Sequence, residues 1–144
     1  MAYIIRNGNI LTKIAKDDTD KNEQNLSPDI YSSINISDSD FKKIQTSRAL
    51  VTIDGDNVTI NDVASTTFED SNALTSDINL RKYLLKQFLD ISSNSSKAIY
   101  SVAQTYYNTL DAFDISTITF PLNKTWEEYC EENSITYLHP LQIP

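Results

Sequence analysis

Short apolar runs alternate with turn residues over the first sixty positions, a pattern typical of β-hairpins. Two tripeptides, Asn7-Gly8-Asn9 and Asp54-Gly55-Asp56, each separate a pair of such runs. Asn-Gly and Asp-Gly readily adopt the positive φ angles that a tight hairpin turn requires. We therefore predict two β-hairpins, with strands at 3–6 and 10–14 in the first and at 49–53 and 57–60 in the second.

The residues between the two hairpins predict a further strand and a short helix. Ile30, Ile34 and Ile36 are spaced by even numbers of residues, so one face of a strand would carry all three. Ser37 then offers a hydroxyl cap, and acidic residues follow it at the positive end of a helix that we expect to end at Gln45. The stretch 16–25 is almost wholly polar and is predicted to be a solvated loop.

Helical periodicity replaces this alternation in the second half of the chain. Ser76-Asp77 is the predicted cap of a helix whose buried stripe would be Leu80, Leu84, Phe88 and Ile91. A serine-rich break at 92–96 precedes a second helix, which carries apolar residues three or four positions apart: Ile99, Val102, Tyr106, Leu110 and Phe113. We expect the two helices to pack as an antiparallel hairpin and residues 115–120 to be extended.

A short helix with the only tryptophan follows, and an apolar tail follows the helix. Thr125 and Glu128 have the Thr-x-x-Glu spacing of a capping box. Chain ends are usually polar and frayed, so an extended tail at 135–144 that is rich in Ile, Leu and Tyr is expected to dock on the chain's own core or on a partner. The residues predicted to contact a partner are Trp126, Tyr129, Tyr137, Leu138, Leu141 and Ile143.

Together these elements predict an α+β protein: β-hairpins with a short helix, then an antiparallel helical hairpin, a short helix with the tryptophan and an extended tail. We expect a β-rich N-terminal part at 1–61, a linker at 62–75 and a helical C-terminal part at 76–144, or one compact domain that contains all three. With 144 residues, of which 40% are hydrophobic, the chain has enough apolar surface for a core.

Charge and cysteine content narrow the class of partner. The formal net charge of -8 argues against binding to nucleic acid or an anionic membrane, because both need a basic patch. No apolar run approaches the ~20 residues of a membrane span. A single cysteine, Cys130, fits a reducing compartment, so we expect a cytoplasmic protein. The edge strands of small hairpins also leave self-association open.

No residue pattern indicates catalysis, a cofactor or a metal. His139 is the only histidine, and the sequence offers it no positioned partner, so a contact or conformational role is expected. Cys130 lies beside acidic residues that raise the pKa of a thiol, and it is predicted to be a small buried side chain. The acidic turn at 54–57 lacks the alternating ligands of a calcium loop. We therefore predict a non-enzymatic protein.

Four segments of the C-terminal half occur in a characteristic order. They are Leu-Arg-Lys-Tyr-Leu-Leu at 80–85, the aromatic helix at 100–113, Thr-Trp-Glu-Glu-Tyr at 125–129 and the proline-ended terminus at 138–144. In this order they resemble the small tail-fibre assembly chaperones and accessory proteins of tailed bacteriophages. The resemblance implies a protein that binds a tail fibre or another virion component in the host cytoplasm during assembly, or that remains in the virion.

Two functions therefore remain open at this point. In the first, the tail captures a protein partner, and the chain is an accessory protein in the assembly or structure of a phage tail or virion. In the second, the tail packs on the chain's own core, and the chain is an autonomous structural module without an assembly role. Each large side chain that the tail buries is worth ~1.5–3 kcal/mol, so removal of the tail would destabilise the second kind of protein.

Overall fold

The computed structural model describes all 144 residues, and the chain divides into two compact units. The N-terminal unit contains residues 1–64 together with 141–144, and the C-terminal unit contains residues 65–140. The chain therefore passes between the units twice. Its elements make it an α+β protein, as predicted.

Two antiparallel sheets form the N-terminal unit, with one short helix before β3 and one after it. The first sheet has the strand order β2-β1-β3, and β4 and β5 form the second. Both predicted hairpins are confirmed, with positive φ angles at Gly8 and Gly55. The elements are β1 (Ala2–Asn7), β2 (Ile10–Ala15), α1 (Asp18–Glu23), β3 (Ser32–Ile36), α2 (Asp38–Gln45), β4 (Ala49–Asp54) and β5 (Asn57–Asp62).

Strand alternation builds the apolar core of this unit. Ile4 on β1 lies opposite Ile14 on β2 and Ile34 on β3, so one face of the sheet is continuously apolar. Helix α2 adds Phe41 and Ile44 to this core. The members of the core cluster that are buried are Ala2, Ile4, Ile14, Phe41, Ile44 and Ile53.

We predicted a solvated loop at residues 16–25, but this prediction is wrong because the segment contains α1. The Asp17 carboxylate accepts a hydrogen bond from the Asp20 backbone N–H at 2.8 Å, which caps a helix without any apolar stripe. Strand β3 begins at Ser32, so Ile30 lies outside it and is exposed. The Ser37 cap of α2 and its end at Gln45 are confirmed.

Three helices form most of the C-terminal unit. They are α3 (Ser71–Leu89), α4 (Ile99–Asp111) and α5 (Trp126–Glu132). Short 3-10 turns occur at Ser92–Ser96, Ile115–Thr117 and Pro140–Gln142. The last of these turns begins in the C-terminal unit and ends in the N-terminal unit. Helix α3 packs against α4 as the predicted helical hairpin. Both hydrogen bonds of the predicted capping box between Thr125 and Glu128 are present at the start of α5. No helix has the combination of length and apolar character that crossing a membrane requires.

Helix α3 differs from its prediction in both its start and its buried side. It begins at Ser71 rather than after Ser76, because the Asp70 carboxylate accepts a hydrogen bond from the Ala73 N–H at 2.9 Å. Of the predicted stripe only Phe88 is buried, whereas Leu80 and Ile91 are more than half exposed. The buried face consists of Leu74, Ile78, Leu85 and Phe88. Residues 115–117 form a 3-10 turn where we predicted an extended segment, and the Asp114 side chain caps this turn.

Candidate protein-binding surfaces

Trp126, at the start of α5, lies inside an aromatic cluster of the C-terminal unit. It is fully buried, and its indole N–H donates a hydrogen bond to the Tyr106 hydroxyl at 2.9 Å. Its ring stacks on Tyr129 with centroids 5.4 Å apart, and Phe113 meets both rings edge-on. Contacts within the fold therefore bury the apolar surface of Trp126 and provide a hydrogen-bond acceptor for its indole N–H.

A buried ion pair joins α3 to α5 beside this cluster. The Arg81 guanidinium donates to Glu127 Oε1 at 2.6 Å and to Asp77 Oδ2 at 2.7 Å. Burial alone would lower the pKa of Arg81, but Glu127, Tyr106 and Asp77 together outweigh it and the pKa is raised. Glu127 is 1% exposed, and its second oxygen, Oε2, has no hydrogen-bond partner. No local pattern predicts this pair, because its members lie 46 positions apart in the sequence.

Cys130 is buried and His139 is partly buried, and burial shifts the pKa of both side chains. Burial lowers the pKa of His139 to about 4, with the Arg81 charge acting in the same direction and the Glu127 charge opposing it. Burial raises the pKa of the Cys130 thiol to about 12, so the thiol is protonated at neutral pH and is a poor nucleophile. Cys130 is fully buried, as predicted. The structure shows no group of three or more His, Cys, Asp or Glu side chains arranged to hold a metal ion.

The six residues predicted to contact a partner are divided between the two units. Trp126, Tyr129, Tyr137 and Leu138 belong to the C-terminal unit, and Leu141 and Ile143 belong to the N-terminal unit. The Tyr137 hydroxyl donates to Glu131 at 2.7 Å, and Leu138 is only 5% exposed. All six therefore make contacts within the chain, and their role in partner binding stays a prediction.

Residues 141–144 occupy a groove of the N-terminal unit, which we call the tail groove. Its polar contacts come from Lys13 on β2, Gln24 at the end of α1 and Gln45 at the end of α2. The Gln142 carbonyl accepts from Gln24 Nε2 at 3.1 Å, and its side-chain oxygen accepts from Gln45 Nε2 at 3.2 Å.

Further contacts hold the residues on either side of Gln142 in the tail groove. The Ile143 carbonyl accepts from Lys13 Nζ at 2.6 Å. Leu141 packs against the core cluster, and Gln142 and Ile143 are buried. The sequence could not predict this contact, because residues from α1, α2 and β2 converge only in the folded unit.

The outward side of α3 carries Leu80 and Leu84, which we had predicted to be buried, together with Tyr83. Leu80 is 56% exposed and Tyr83 is 60% exposed, Leu84 is half-buried, and Ile91 is exposed just beyond the end of the helix. Residues three and four positions apart lie on the same side of a helix, so Leu80, Tyr83 and Leu84 form one apolar band, the outer stripe. Helix α3 therefore has apolar residues on two sides, and only one of these sides is buried in the C-terminal unit.

An open cleft of about 340 Å³ lies on the N-terminal unit between α1 and β3. Its titratable lining groups are Lys21 and Tyr31, and no carboxylate or imidazole lines it.

Comparison with protein-family models, curated proteins and solved structures found no match to this chain. Its class as an α+β protein with two compact units follows from its own fold, and its function has to be inferred from its surfaces.

Proposed function

We propose that the chain is a non-enzymatic accessory protein that acts by binding another protein. The observation that carries this proposal is the outer stripe of α3. Single exposed apolar residues are ordinary on protein surfaces, but a contiguous apolar band on a helix marks an interaction surface. Leu80 and Tyr83 in this band are each more than half exposed, and tyrosine is enriched in protein interfaces.

The partner we propose is a tail fibre or another component of a phage virion. The segment 80–85, which contributes to the resemblance to tail-fibre assembly chaperones, also contains all three residues of the outer stripe. A helix with an exposed apolar band fits an apolar groove of a partner through side chains at helical spacing. Binding would occur in the host cytoplasm during assembly, and the protein would either leave or remain in the virion.

Affinity capture with three full-length baits tests this function. The baits are the native chain, a Leu80→Gln/Tyr83→Gln variant, and a Thr105→Ala control at an exposed polar position of α4. We expect native and control baits to capture a purified tail-fibre or other virion polypeptide, and the double variant to lose it. Equal capture by all three baits would exclude the outer stripe, and no capture by any bait would contradict the proposed partner.

A second candidate function, an autonomous structural module without an assembly role, is supported by the tail groove. Residues 141–144 are held there by side chains from three elements, and nothing outside the chain is needed to cover Ile143. The two candidates differ at the outer stripe: a structural module tolerates Leu80→Gln and Tyr83→Gln without loss of any partner.

A further inference from the structure

The cleft between α1 and β3 lies on the face of the first sheet that points away from the core cluster. Successive residues of a strand point to opposite faces, so Ile5 of β1 points away from its core neighbour Ile4. Ser33 of β3 lies opposite Ile5 in the strand register, and both line the cleft. Ile5 is 4% exposed and gives the cleft an apolar base. The volume of about 340 Å³ falls within the range of about 300–1,000 Å³ that is typical of small-molecule sites.

Backbone hydrogen bonds hold the residues that form the sides of the cleft. The N–H groups of Ile30 and Tyr31 both donate to the Ser27 carbonyl, at 3.1 and 2.9 Å. Just after α1, Asn25 has a positive φ of 53°, and its N–H donates to the Asn22 carbonyl at 3.2 Å. A ligand would therefore meet a backbone that is already held in place, which lowers the entropy cost of binding.

Four polar side chains of the cleft make no hydrogen bond within the chain. They are the amides of Asn22 and Asn25 and the hydroxyls of Tyr31 and Ser33. Each amide has two N–H donors and a carbonyl acceptor, and each hydroxyl both donates and accepts. A ligand with several hydroxyl groups matches this set, because each of its hydroxyls also donates and accepts.

The charge of the cleft favours a neutral ligand. Its one cationic lining group is Lys21, whose Nζ lies 3.8 Å from the Asp18 carboxylate and 4.3 Å from the centre of the Tyr3 ring. The same Asp18 carboxylate accepts a hydrogen bond from the Tyr3 hydroxyl. An anionic ligand would have to compete with Asp18 for Lys21, whereas a neutral ligand leaves these contacts intact.

We propose that this cleft binds a neutral mono- or disaccharide. Ile5, Leu26 and Tyr31 provide apolar surface for the C–H groups of a sugar ring. The amides of Asn22 and Asn25, together with the two hydroxyls, bind the sugar hydroxyls. All of these residues belong to the N-terminal unit, so this site is independent of the outer stripe and of the protein partner proposed above.

Amide NMR titration of the isotope-labelled full chain tests the saccharide site. The probes are glucose, galactose, mannose, N-acetylglucosamine, maltose and lactose, and the anionic comparison probes are inorganic phosphate and acetate. We expect at least one of the sugars to cause saturable shift changes, centred on residues 21–33 and with a dissociation constant in the millimolar range. Phosphate and acetate should cause no saturable change there.

Three variants locate the site. Asn25→Gly removes the amide, and glycine accepts the positive φ at this position, so we expect about two- to tenfold weaker binding from the loss of one hydrogen bond. Tyr31→Ala should abolish saturable binding. The matched control is Asn61→Ala, at an exposed amide on β5, which should bind as the native chain does. Native amide shifts outside residues 21–33 show that each variant is folded.

Three results would overturn the proposal. Absence of saturable changes with every sugar would exclude a saccharide site. Saturable changes near Lys21 with phosphate or acetate, and none with a sugar, would exclude a neutral ligand. Native affinity in both Asn25→Gly and Tyr31→Ala would show that a sugar binds elsewhere.

Discussion

Replacement of Ile143 by alanine should destabilise the N-terminal unit. Ile143 belongs to this unit, although more than seventy residues of the C-terminal unit separate it in sequence from residues 1–64. Ile143 is 6% exposed, so the substitution removes three buried carbon atoms. At about 0.8 kcal/mol for each, the transfer term is about 2.4 kcal/mol, and the cavity left behind raises the loss to about 2–4 kcal/mol. For a unit of this size, that loss lowers Tm by on the order of 10 °C or more.

Hydrogen exchange measured by mass spectrometry locates the effect, and Leu138→Ala is the matched control. Leu138 lies five positions earlier and is 5% exposed, but it belongs to the C-terminal unit. We expect Ile143→Ala to accelerate exchange in β1 and β2, and Leu138→Ala to accelerate it in the C-terminal unit. The reasoning is refuted if Ile143→Ala leaves exchange in β1 and β2 at the native rate.

Three further predictions concern ionisable side chains of the C-terminal unit. Burial lowers the pKa of His139 from 6.5 to about 4, so the unfolded state binds more protons than the folded state between these pH values. The free energy of unfolding therefore falls by up to about 3 kcal/mol as the pH drops from 6.5 to 4. Urea titrations of His139→Asn should show a flatter pH dependence over that range. Arg81→Ala should lower the free energy of unfolding by about 3–5 kcal/mol, because it leaves the Glu127 carboxylate buried without its cation; urea unfolding followed by Trp126 fluorescence measures the loss. A double variant that also carries Glu127→Gln should recover part of this loss. If the losses of the two single variants simply add in the double variant, the pairing is contradicted. Cys130 should react with a maleimide only as fast as the C-terminal unit opens, so rapid labelling of the native chain would contradict its burial.

Features encoded over a few residues could be predicted from the sequence. The turns at Gly8 and Gly55, the Ser37 cap and the capping box that starts at Thr125 each depend on side chains within about four positions. The α+β class followed from the change of hydrophobic period between the two halves of the chain. These local signals are sufficient because turn and cap geometry are satisfied by adjacent backbone groups.

Features that depend on tertiary packing could not be predicted in this way. Helix α3 has two apolar stripes, and only its packing against α4 decides that Leu85 is buried and Leu80 is exposed. Helix α1 is almost wholly polar, so periodicity gave no sign of it. The apolar tail was expected to need a docking site, but its position against Gln24 and Gln45 depends on three elements that are distant in sequence.

Site-specific photocrosslinking at position 83 would test most directly whether the outer stripe binds a protein. A photoreactive phenylalanine analogue replaces Tyr83 in one full-length chain and Asn108, an exposed position on α4, in a control chain. After irradiation in the presence of assembling virions, we expect a crosslinked virion polypeptide from position 83 and none from position 108. No crosslinked polypeptide from position 83, or the same yield from both positions, would contradict a binding function for α3.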